Sequence, residues 1–457
     1  MKSRLIYLTV ALFTILSLIP LAMSAPARAA TSHVYSGQSI QATINNSAAG
    51  DTIIVHDGTY NENIGIDKPL TIISDNGSAS TIIDGTAGGG QPAVTIINSS
   101  VTFGTTGHGF GVTHTWYDAG NESGGMGIAV MNLDDSSLGG ITVQGNYVYE
   151  CGGGPGGSGA GIALGNMGTG NLHDNLVSGN EVFNCSMGIV MINMGAADIY
   201  ENIIEDNEVH MAGVPVGLIN LAPGTEIYSN ELLNNEIYDS GFCILLSGYG
   251  GNIYGNLIED NSAHDSFLGI ILGEVAGFSG VTVYENIVES NEVYNCGGGI
   301  VMSIEGTGAV YGNTVRDNIV HDMAPAENAA GNGIALFIMA SGNVTGNLLD
   351  RNEIFNCVTG IQLWNGGTGN LQDTRLYSNS VYNNSEGISI SNSQYAYVYG
   401  NDIRDNFGVD TGIYLRDSDE IYIRCNNIAG NDGCGVANDG STNVDADDNW
   451  WGDGGGP

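Results

Sequence analysis

The sequence predicts an all-β chain that folds as a right-handed parallel β-helix (solenoid) with an N-terminal capping segment. Three observations carry this prediction: a repeat of about 28 residues, short alternating apolar runs inside each repeat, and no helix-length periodicity within any repeat. A single repeat is too small to bury its own apolar face, whereas stacked repeats form one continuous core. The usual handedness of parallel crossover connections favours a right-handed coil.

The first element along the chain is an export signal. Lys2 and Arg4 precede an apolar run over residues 5–21, and the small-x-small sequence ARA occupies residues 27–29. This order predicts a signal peptide at residues 1–29 and a secreted chain, extracellular or at the cell surface, or periplasmic if the host is a diderm bacterium. An uncleaved N-terminal anchor is the alternative. No second apolar run of spanning length follows, so we expect no membrane span in the mature chain.

Residues 30–457 are predicted to form a single β-helix domain. Residues 30–75 are interpreted as the N-terminal cap and first coils, 141–436 as regular coils, and 437–457 as the C-terminal close. The amphipathic stretch 39–44 is expected to form a helical lid, because the open end of a solenoid exposes unpaired backbone groups. At the other end, Trp450 and Trp451 are expected to cover the core.

The regular coils share the pattern N-x-φ-x-x-N-x-φ, followed by a short turn and a Gly-aliphatic step. The second Asn of this pattern occupies Asn146, Asn180, Asn207, Asn235, Asn261, Asn291, Asn318, Asn352, Asn379, Asn406 and Asn431. Apolar residues two apart indicate strands with one buried face. Asn at the same turn of successive coils is expected to form a column of amide hydrogen bonds.

Aromatic residues also recur at fixed positions. Two residues before the first Asn stand Tyr200, Tyr228, Tyr254, Tyr284, Tyr311 and Tyr399. If these side chains point outward, the first five are candidates for binding the faces of sugar rings; if they point inward, they are packing. A second aromatic position, three residues after the second Asn, contains His264 and His321, so the His-Asp pairs at 264–265 and 321–322 are interpreted as structural.

The chain is strongly acidic, with 10 Lys and Arg against 49 Asp and Glu and a net charge of −39. Such a surface repels nucleic acid and anionic lipid, so we expect no nucleic-acid partner. A glutamate recurs one residue after the second Asn, as at Glu181, Glu208 and Glu236, and is interpreted as a solvated face or a place for cations. The C-terminal Asp445, Asp447 and Asp448 are candidate Ca²⁺ ligands, although the sequence contains no complete calcium loop.

Seven cysteines are an odd number for an exported chain. Cys151, Cys185, Cys296 and Cys357 fall at one small slot of the repeat, which predicts buried thiols. Cys151 and Cys185 lie in neighbouring coils, where a disulfide is geometrically permitted, and Cys425 and Cys434 are a second potential pair.

Several segments resemble known proteins. The opening SIQATINNSAAGDTIIVHDGTYNENIGIDKPLTIIS, the repeating N.I..N.V...GI.L and the ending DDNWWGDGGGP are similar to the pectin-lyase-like superfamily, in particular its extracellular right-handed β-helix proteins with NosD-type repeats. The resemblance implies the β-helix fold. For function it implies several classes, which include polysaccharide lyases, hydrolases and epimerases, adhesins and a copper-site maturation factor.

The residues give little support to catalysis. Lyases of this superfamily are expected to use a Lys or Arg base, but Lys68 is the only Lys of residues 30–457, and it lies in a segment with a structural pattern. Arg316 and Arg351 occupy successive coils and are interpreted as partners of acidic residues. The sequence therefore predicts a non-catalytic surface or matrix protein that binds polysaccharide or cell-surface glycans or cations, with Ca²⁺ as the candidate cofactor. The alternative, a polysaccharide lyase, hydrolase or epimerase, predicts a groove with charged residues around residues 261–352. The oligomeric state stays open.

Overall fold

The computed structural model describes residues 29–118, 123–152, 159–275, 278–326, 329–408 and 412–452. The predicted signal peptide falls almost entirely on residues 1–28, which lie outside the described residues. Each coil of the described chain passes through three long parallel sheets, which we number in the order in which the coil enters them. Cα partners pair in register from one coil to the next, as Leu176 does with Ile203 and Val182 with Val209.

Sheet 1 contains one or two short strands from each coil. Its strands are Thr31–Val34, Thr52–Val55, Thr71–Ser74, Thr102–Phe103, Leu138–Gly139, Thr142–Gln144, Leu172–His173, Leu176–Ser178, Ile199–Tyr200, Ile203–Glu205, Glu226–Tyr228, Glu231–Leu233, Asn252–Tyr254, Leu257–Glu259, Thr282–Tyr284, Ile287–Glu289, Ala309–Tyr311, Thr314–Arg316, Asn343–Thr345, Leu348–Asp350, Leu371–Gln372, Arg375–Tyr377, Gln394–Tyr399, Asp419–Arg424 and Thr442–Asp445.

Sheet 2 follows sheet 1 after the Asn turn. Its strands are Gly58–Tyr60, Thr81–Asp84, Gly111–Thr113, Tyr147–Tyr149, Glu181–Phe183, Glu208–His210, Glu236–Tyr238, Ser262–His264, Glu292–Tyr294, Ile319–His321, Glu353–Phe355, Ser380–Tyr382, Asp402–Arg404 and Asn427–Ala429.

Sheet 3 has the longest strands. They are Ile64–Ile66, Val94–Ile96, Ile128–Asn132, Ala160–Asn166, Met187–Asn193, Val214–Asn220, Phe242–Gly248, Leu268–Gly273, Ile300–Ile304, Asn332–Ile338, Thr359–Asn365, Glu386–Ser391, Ile413–Arg416 and Val436–Asp439. Outside the three sheets lie an antiparallel pair, Tyr117–Asp118 with Ser123–Gly124, the α-helix Ile40–Asn46 and a short 3₁₀-helix, Thr86–Gly88.

The core is a column of aliphatic side chains between the three sheets. In the regular coils the middle residue of the three-residue strands points inward, as Val177 and Val182 show, and Ile189 of sheet 3 joins them in the core. The Gly-aliphatic step has a steric cause, since a Cβ on Gly188 would lie 2.3 Å from the Pro215 carbonyl oxygen of the next coil. The all-β solenoid predicted from the repeat is therefore confirmed.

Both ends of the described solenoid are covered. At the N-terminal end the predicted helical lid is present, with Ser39 as its N-cap and Ile40 and Ile44 fully buried against the first coils. At the other end Trp451 packs against the core, whereas Trp450 is 54% exposed. Of the two tryptophans expected to cover the core, only Trp451 does so.

The Asn columns are present and buried. Asn180 Nδ2 donates to Asn207 Oδ1 at 3.0 Å, and Asn207 donates in the same way to Asn235. In the first Asn slot of the repeat, Asn202 Nδ2 donates to Asn230 Oδ1 at 2.9 Å. Each of these amides also donates to a backbone carbonyl of the preceding coil, so the columns tie coils together along the axis.

Near the C-terminal end the register differs from the sequence repeat. Asn379 Nδ2 donates to Asn401 Oδ1, 22 residues later, at 3.0 Å, and Asn384 starts a new column that continues through Asn406 to Asn431. The placement of Asn406 and Asn431 in the slot of Asn379 is therefore wrong. The cause is a shorter coil, which moves the N-x-φ-x-x-N pattern one strand onward.

Candidate functional site

The five tyrosines proposed as ligand-binding residues point outward from sheet 1, and each lies beside a fully buried neighbour such as Ile199 or Ile227. Tyr200, Tyr228, Tyr254, Tyr284 and Tyr311 form one continuous stack that begins at His173, with ring centroids 4.8–5.3 Å apart. Tyr399 does not belong to this stack, because the register change places it beside Tyr377.

The stacking determines what this tyrosine column offers to a ligand. Interplanar angles of 7–15° between successive tyrosines mean that each inner ring has both faces against its neighbours. The ring edges and hydroxyls face outward, and Tyr254 Oη donates to Glu226 Oε2 at 2.8 Å. Burial and this hydrogen bond raise the pKa of Tyr254 above its ordinary value. A flat sugar face could reach an open ring face only at the end of the column, where Tyr311 is 38% exposed.

A second outward column runs along sheet 2 and contains the histidines. His264 stacks between Tyr238 and Tyr294, at 5.2 and 4.6 Å, and His321 follows Tyr294. The Nδ1 atom of His264 lies 2.8 Å from the carboxylate of Asp265, which fixes the ring in the stack. The His-Asp pairs thus occupy a repeated structural position, as the sequence pattern indicates.

The cationic residues considered as bases are engaged with acids or backbone. Lys68 Nζ donates to the carbonyl of Ile44 at the C-terminal end of the helix, at 3.1 Å. Arg316 pairs with Glu289, and Arg351 pairs with Asp317 at 2.7 Å. The guanidinium of Arg351 lowers the pKa of Asp317.

The three candidate Ca²⁺ ligands, Asp445, Asp447 and Asp448, differ in their surroundings. Asp445 is half-buried and pairs with Arg424, which lowers the pKa of Asp445, while Asp447 and Asp448 are exposed in the following turn. Among the described residues, no three His, Cys, Asp or Glu side chains are arranged so that they could hold a metal. Calcium binding at these residues stays a prediction.

All seven cysteines are described as free thiols. Cys151, Cys185, Cys296 and Cys357 are buried, as their slot predicts, and burial raises the pKa of Cys357 to about 12. Cys425 and Cys434 are exposed. Neither potential disulfide is formed.

A further candidate site lies on the outer face of sheet 3, among residues that are not candidate site residues from the sequence. Strand residues that alternate with the core point outward here, and they form two columns from coil to coil. One column is Ile271, Val301, Ala335 and Gln362; the other contains Ser303, Phe337 and Trp364. Together with the turns on either side they line a cavity of about 340 Å³, which we call the sheet-3 groove.

Turns before and after sheet 3 form the walls of the groove. On one side stand Gly297, Gly298, Ala329 and Ala330, which precede the strands; on the other stand Val275, Glu305 and Met339, which follow them. The outward-facing Ile271 and Ala335 are fully buried beneath these turns. The groove therefore has an apolar floor and a built rim.

The groove contains an aromatic pair, a bonded amide pair and one carboxyl group. The rings of Phe337 and Trp364 meet edge to face, 6.2 Å apart at 77°, and Trp364 remains 36% exposed. Asn332 Nδ2 donates to Gln362 Oε1 at 2.7 Å, which fixes both amides. Glu305 is exposed at the rim, and partial desolvation, followed by the nearby Glu274, raises the pKa of its carboxyl group.

Glu274 holds the second wall in place. It is fully buried, and its carboxylate accepts hydrogen bonds from the backbone N–H groups of Gly280, Gly306 and Gly308, the last at 2.9 Å. These three glycines belong to the turns that follow two successive strands of sheet 3. The Glu274 carboxylate thus links the turns of two successive coils, and Glu305 lies at the start of the second of these turns.

The groove occupies the region in which the enzyme alternative predicts one. Its lining spans residues 268–364, against a predicted 261–352, so the position is confirmed. The predicted charged lining is wrong: among the described lining residues Glu305 is the only ionisable side chain. Arg316 and Arg351 lie on and next to sheet 1 instead, because they follow its strands rather than those of sheet 3.

Comparison with known proteins agrees with this architecture. Residues 326–451 match the family described as "Right handed beta helix region". The fold is that of the right-handed parallel β-helix proteins. The β-helix fold that the resemblance implied is thus confirmed, and no curated protein matches the sequence.

Solved structures of the same fold resemble the chain only distantly. The periplasmic alginate epimerase AlgG is 15% identical, over 69% of this chain and 76% of its own, with a TM-score of 0.39. The catalytic unit of the GH87 α-1,3-glucanase from Streptomyces thermodiastaticus is 14% identical, over 93% and 70%, with a TM-score of 0.42. The Azotobacter vinelandii mannuronan C-5 epimerase AlgE4 A-module is 14% identical, over 88% and 91%, with a TM-score of 0.36. Likeness at this level carries no argument about function, which rests on the site itself.

No helix of the described residues is long and apolar enough to cross a membrane.

Proposed function

We propose that this chain is an exported, non-catalytic β-helix protein that binds a glycan in the sheet-3 groove. The observation that carries the proposal is the group formed by Trp364, Phe337, the paired amides of Asn332 and Gln362, and Glu305. An aromatic face offers a platform for the apolar face of a sugar ring. Fixed amide and carboxyl groups offer partners for its hydroxyls.

The electrostatics favour an uncharged glycan. The chain has a net charge of −39, and the ionisable residue among the described groove lining is itself an acid, Glu305. A uronate in the groove would meet this field without a cation in the described lining to offset it. We therefore expect neutral oligosaccharides to bind and uronate oligosaccharides to be rejected, with the rejection weakened by salt.

Isothermal titration calorimetry with neutral and uronate oligosaccharides tests the proposal. Trp364→Ala should weaken binding about tenfold, the equivalent of about 1.4 kcal/mol, because it removes the stacking platform. Trp450→Ala is the matched control, since Trp450 is also exposed but lies at the far end of the solenoid. Equal affinities for both variants and the wild type, or no binding to any neutral glycan, would contradict the proposal.

One observation favours the second candidate, a polysaccharide-active enzyme. Glu305 lines the groove, and a carboxyl group whose pKa is raised is suited to donate a proton to a leaving oxygen. Reducing-end and unsaturated-product assays on the same glycans separate the two functions. Turnover that Glu305→Gln abolishes while binding persists would favour the enzyme; binding without turnover would favour the proposed function.

A further inference from the structure

The first strand of the solenoid begins directly after a residue with an unusual contact. Strand Thr31–Val34 pairs with Thr52–Val55 at the N-terminal edge of sheet 1. Immediately before it, the backbone N–H of Ala30 donates to Asp51 Oδ1 at 2.8 Å. Asp51 is only 8% exposed, although it is an aspartate in a turn.

Neutral backbone groups supply both hydrogen bonds to Asp51. Its second oxygen accepts from the N–H of Ala48 at 2.8 Å. The bonds from Ala30 and Ala48, in that order, lower the pKa of Asp51, so its side chain is a carboxylate. The sole lysine of residues 30–457, Lys68, donates to the carbonyls of Ile44 and Ser47. A nearly buried carboxylate without a bonded cation is an incomplete arrangement, because burial is tolerated best when a charge is paired.

The sequence indicates how the backbone nitrogen of Ala30, which contacts Asp51, could become a cation. Residues 27–29, Ala-Arg-Ala, form the small-x-small pattern that precedes a cleavage point, and Ala30 is the next residue. Hydrolysis of the peptide bond between Ala29 and Ala30 adds one water, which leaves a carboxylate on Ala29 and an ammonium on Ala30. The nitrogen 2.8 Å from Asp51 would then be a positive charge, and a charge-assisted bond would replace a neutral one.

We propose that export processing after Ala29 creates an α-ammonium that pairs with Asp51 and completes the N-terminal edge of the solenoid. Cleavage is then a step of maturation as well as the removal of a leader, since the mature end contributes the counter-ion of a nearly buried acid. The inference rests on the proposed export and is independent of glycan binding, because the sheet-3 groove lies many coils away.

Intact-mass and N-terminal analysis of the exported protein gives the first readout, which should place the mature terminus at Ala30. The second is the effect of α-amine acetylation on the thermal midpoint, Tm. Near neutral pH an acylating reagent prefers the α-amine, whose pKa is about 7.7–8.0, over a lysine at about 10.4, and Lys68 is the sole lysine of residues 30–457. Acetylation should lower the Tm of the wild type by about 2 °C.

Two variants make the test specific. In Asp51→Asn acetylation should have no further effect, whereas Asp67→Asn, which changes an exposed acid near the same end, should respond as the wild type does. A mature terminus at any residue other than Ala30, or an equal effect of acetylation with and without Asp51, overturns the inference. If Asp51→Asn does not fold, an unchanged Tm in the acetylated wild type overturns it alone. Loss of glycan binding leaves these readouts unaffected, so the two proposals fail separately.

Discussion

Removal of one buried amide should destabilise the solenoid strongly, and Asn261→Ala is the sharpest test. Asn261 is 1% exposed, and its Oδ1 accepts from both the backbone N–H and Nδ2 of Asn235, each at 2.9 Å. Its Nδ2 donates to the Leu232 carbonyl and to Asn291 Oδ1, again at 2.9 Å. An alanine here removes the acceptor of two N–H groups of Asn235, the backbone N–H and one N–H of Nδ2, while Nδ2 keeps its bond to the Ile204 carbonyl.

The expected magnitude follows from those two donors. An unsatisfied buried donor costs about 1–3 kcal/mol, so Asn261→Ala should lower the free energy of unfolding by about 2–6 kcal/mol. Because a solenoid can open locally, hydrogen exchange at the amide of Asn235, followed by mass spectrometry, is the appropriate assay beside chemical denaturation. Asn61→Ala is the control, since Asn61 is exposed and should change stability by less than about 0.5 kcal/mol. A loss at Asn261 no larger than that of the control would refute the proposed role of the columns.

Three further predictions follow from other contacts. Glu274→Gln should weaken glycan binding and lower Tm, because a neutral amide bonds the N–H groups of Gly280, Gly306 and Gly308 less strongly than a carboxylate does. Calorimetry checks this, with Glu236→Gln as the control because Glu236 is exposed. Unchanged affinity in Glu274→Gln would contradict the prediction. His264→Ala should cost about 1–2 kcal/mol of stability by breaking two ring contacts, yet leave glycan affinity intact; a specific loss of binding would show that the histidine has a functional role. A thiol reagent should label Cys425 and Cys434 in the native protein and all seven cysteines after denaturation; fewer than two native labels would indicate a disulfide between the two exposed residues.

Much of the fold could be predicted because stacking makes sequence spacing and spatial spacing equivalent. The Asn pattern located the turns between sheets 1 and 2, and the aliphatic residues two apart located the inward faces. The cap over residues 39–44 was recognisable because Ser39 precedes an amphipathic stretch that buries Ile40 and Ile44. Each coil repeats the same residue pattern, so one sequence contains several examples of it and the pattern can be recognised without related sequences.

The sequence indicated the region of the sheet-3 groove but not the residues that line it. Strands such as Asn332–Ile338 are apolar on both faces, so outward-facing Ala335 and Phe337 are indistinguishable in sequence from core residues. The signals present in the sequence are the long turn after residue 323 and the charged Glu274, which stands at the position that Asn193 and Asn220 occupy in earlier coils. The shorter coil before Asn401 was missed for a related reason, because the local pattern N-x-φ-x-x-N persists after its position in the coil has changed.

The most direct test of glycan binding is a crystal structure of the protein with a neutral oligosaccharide. One sugar ring should stack on Trp364, and neighbouring sugar units should place hydroxyls within hydrogen-bond distance of Glu305 and of the amide pair Asn332–Gln362. A glycan seated instead on the tyrosine column at Tyr311, or a groove that stays free of sugar at a saturating concentration, would contradict the assignment of the sheet-3 groove as the binding site.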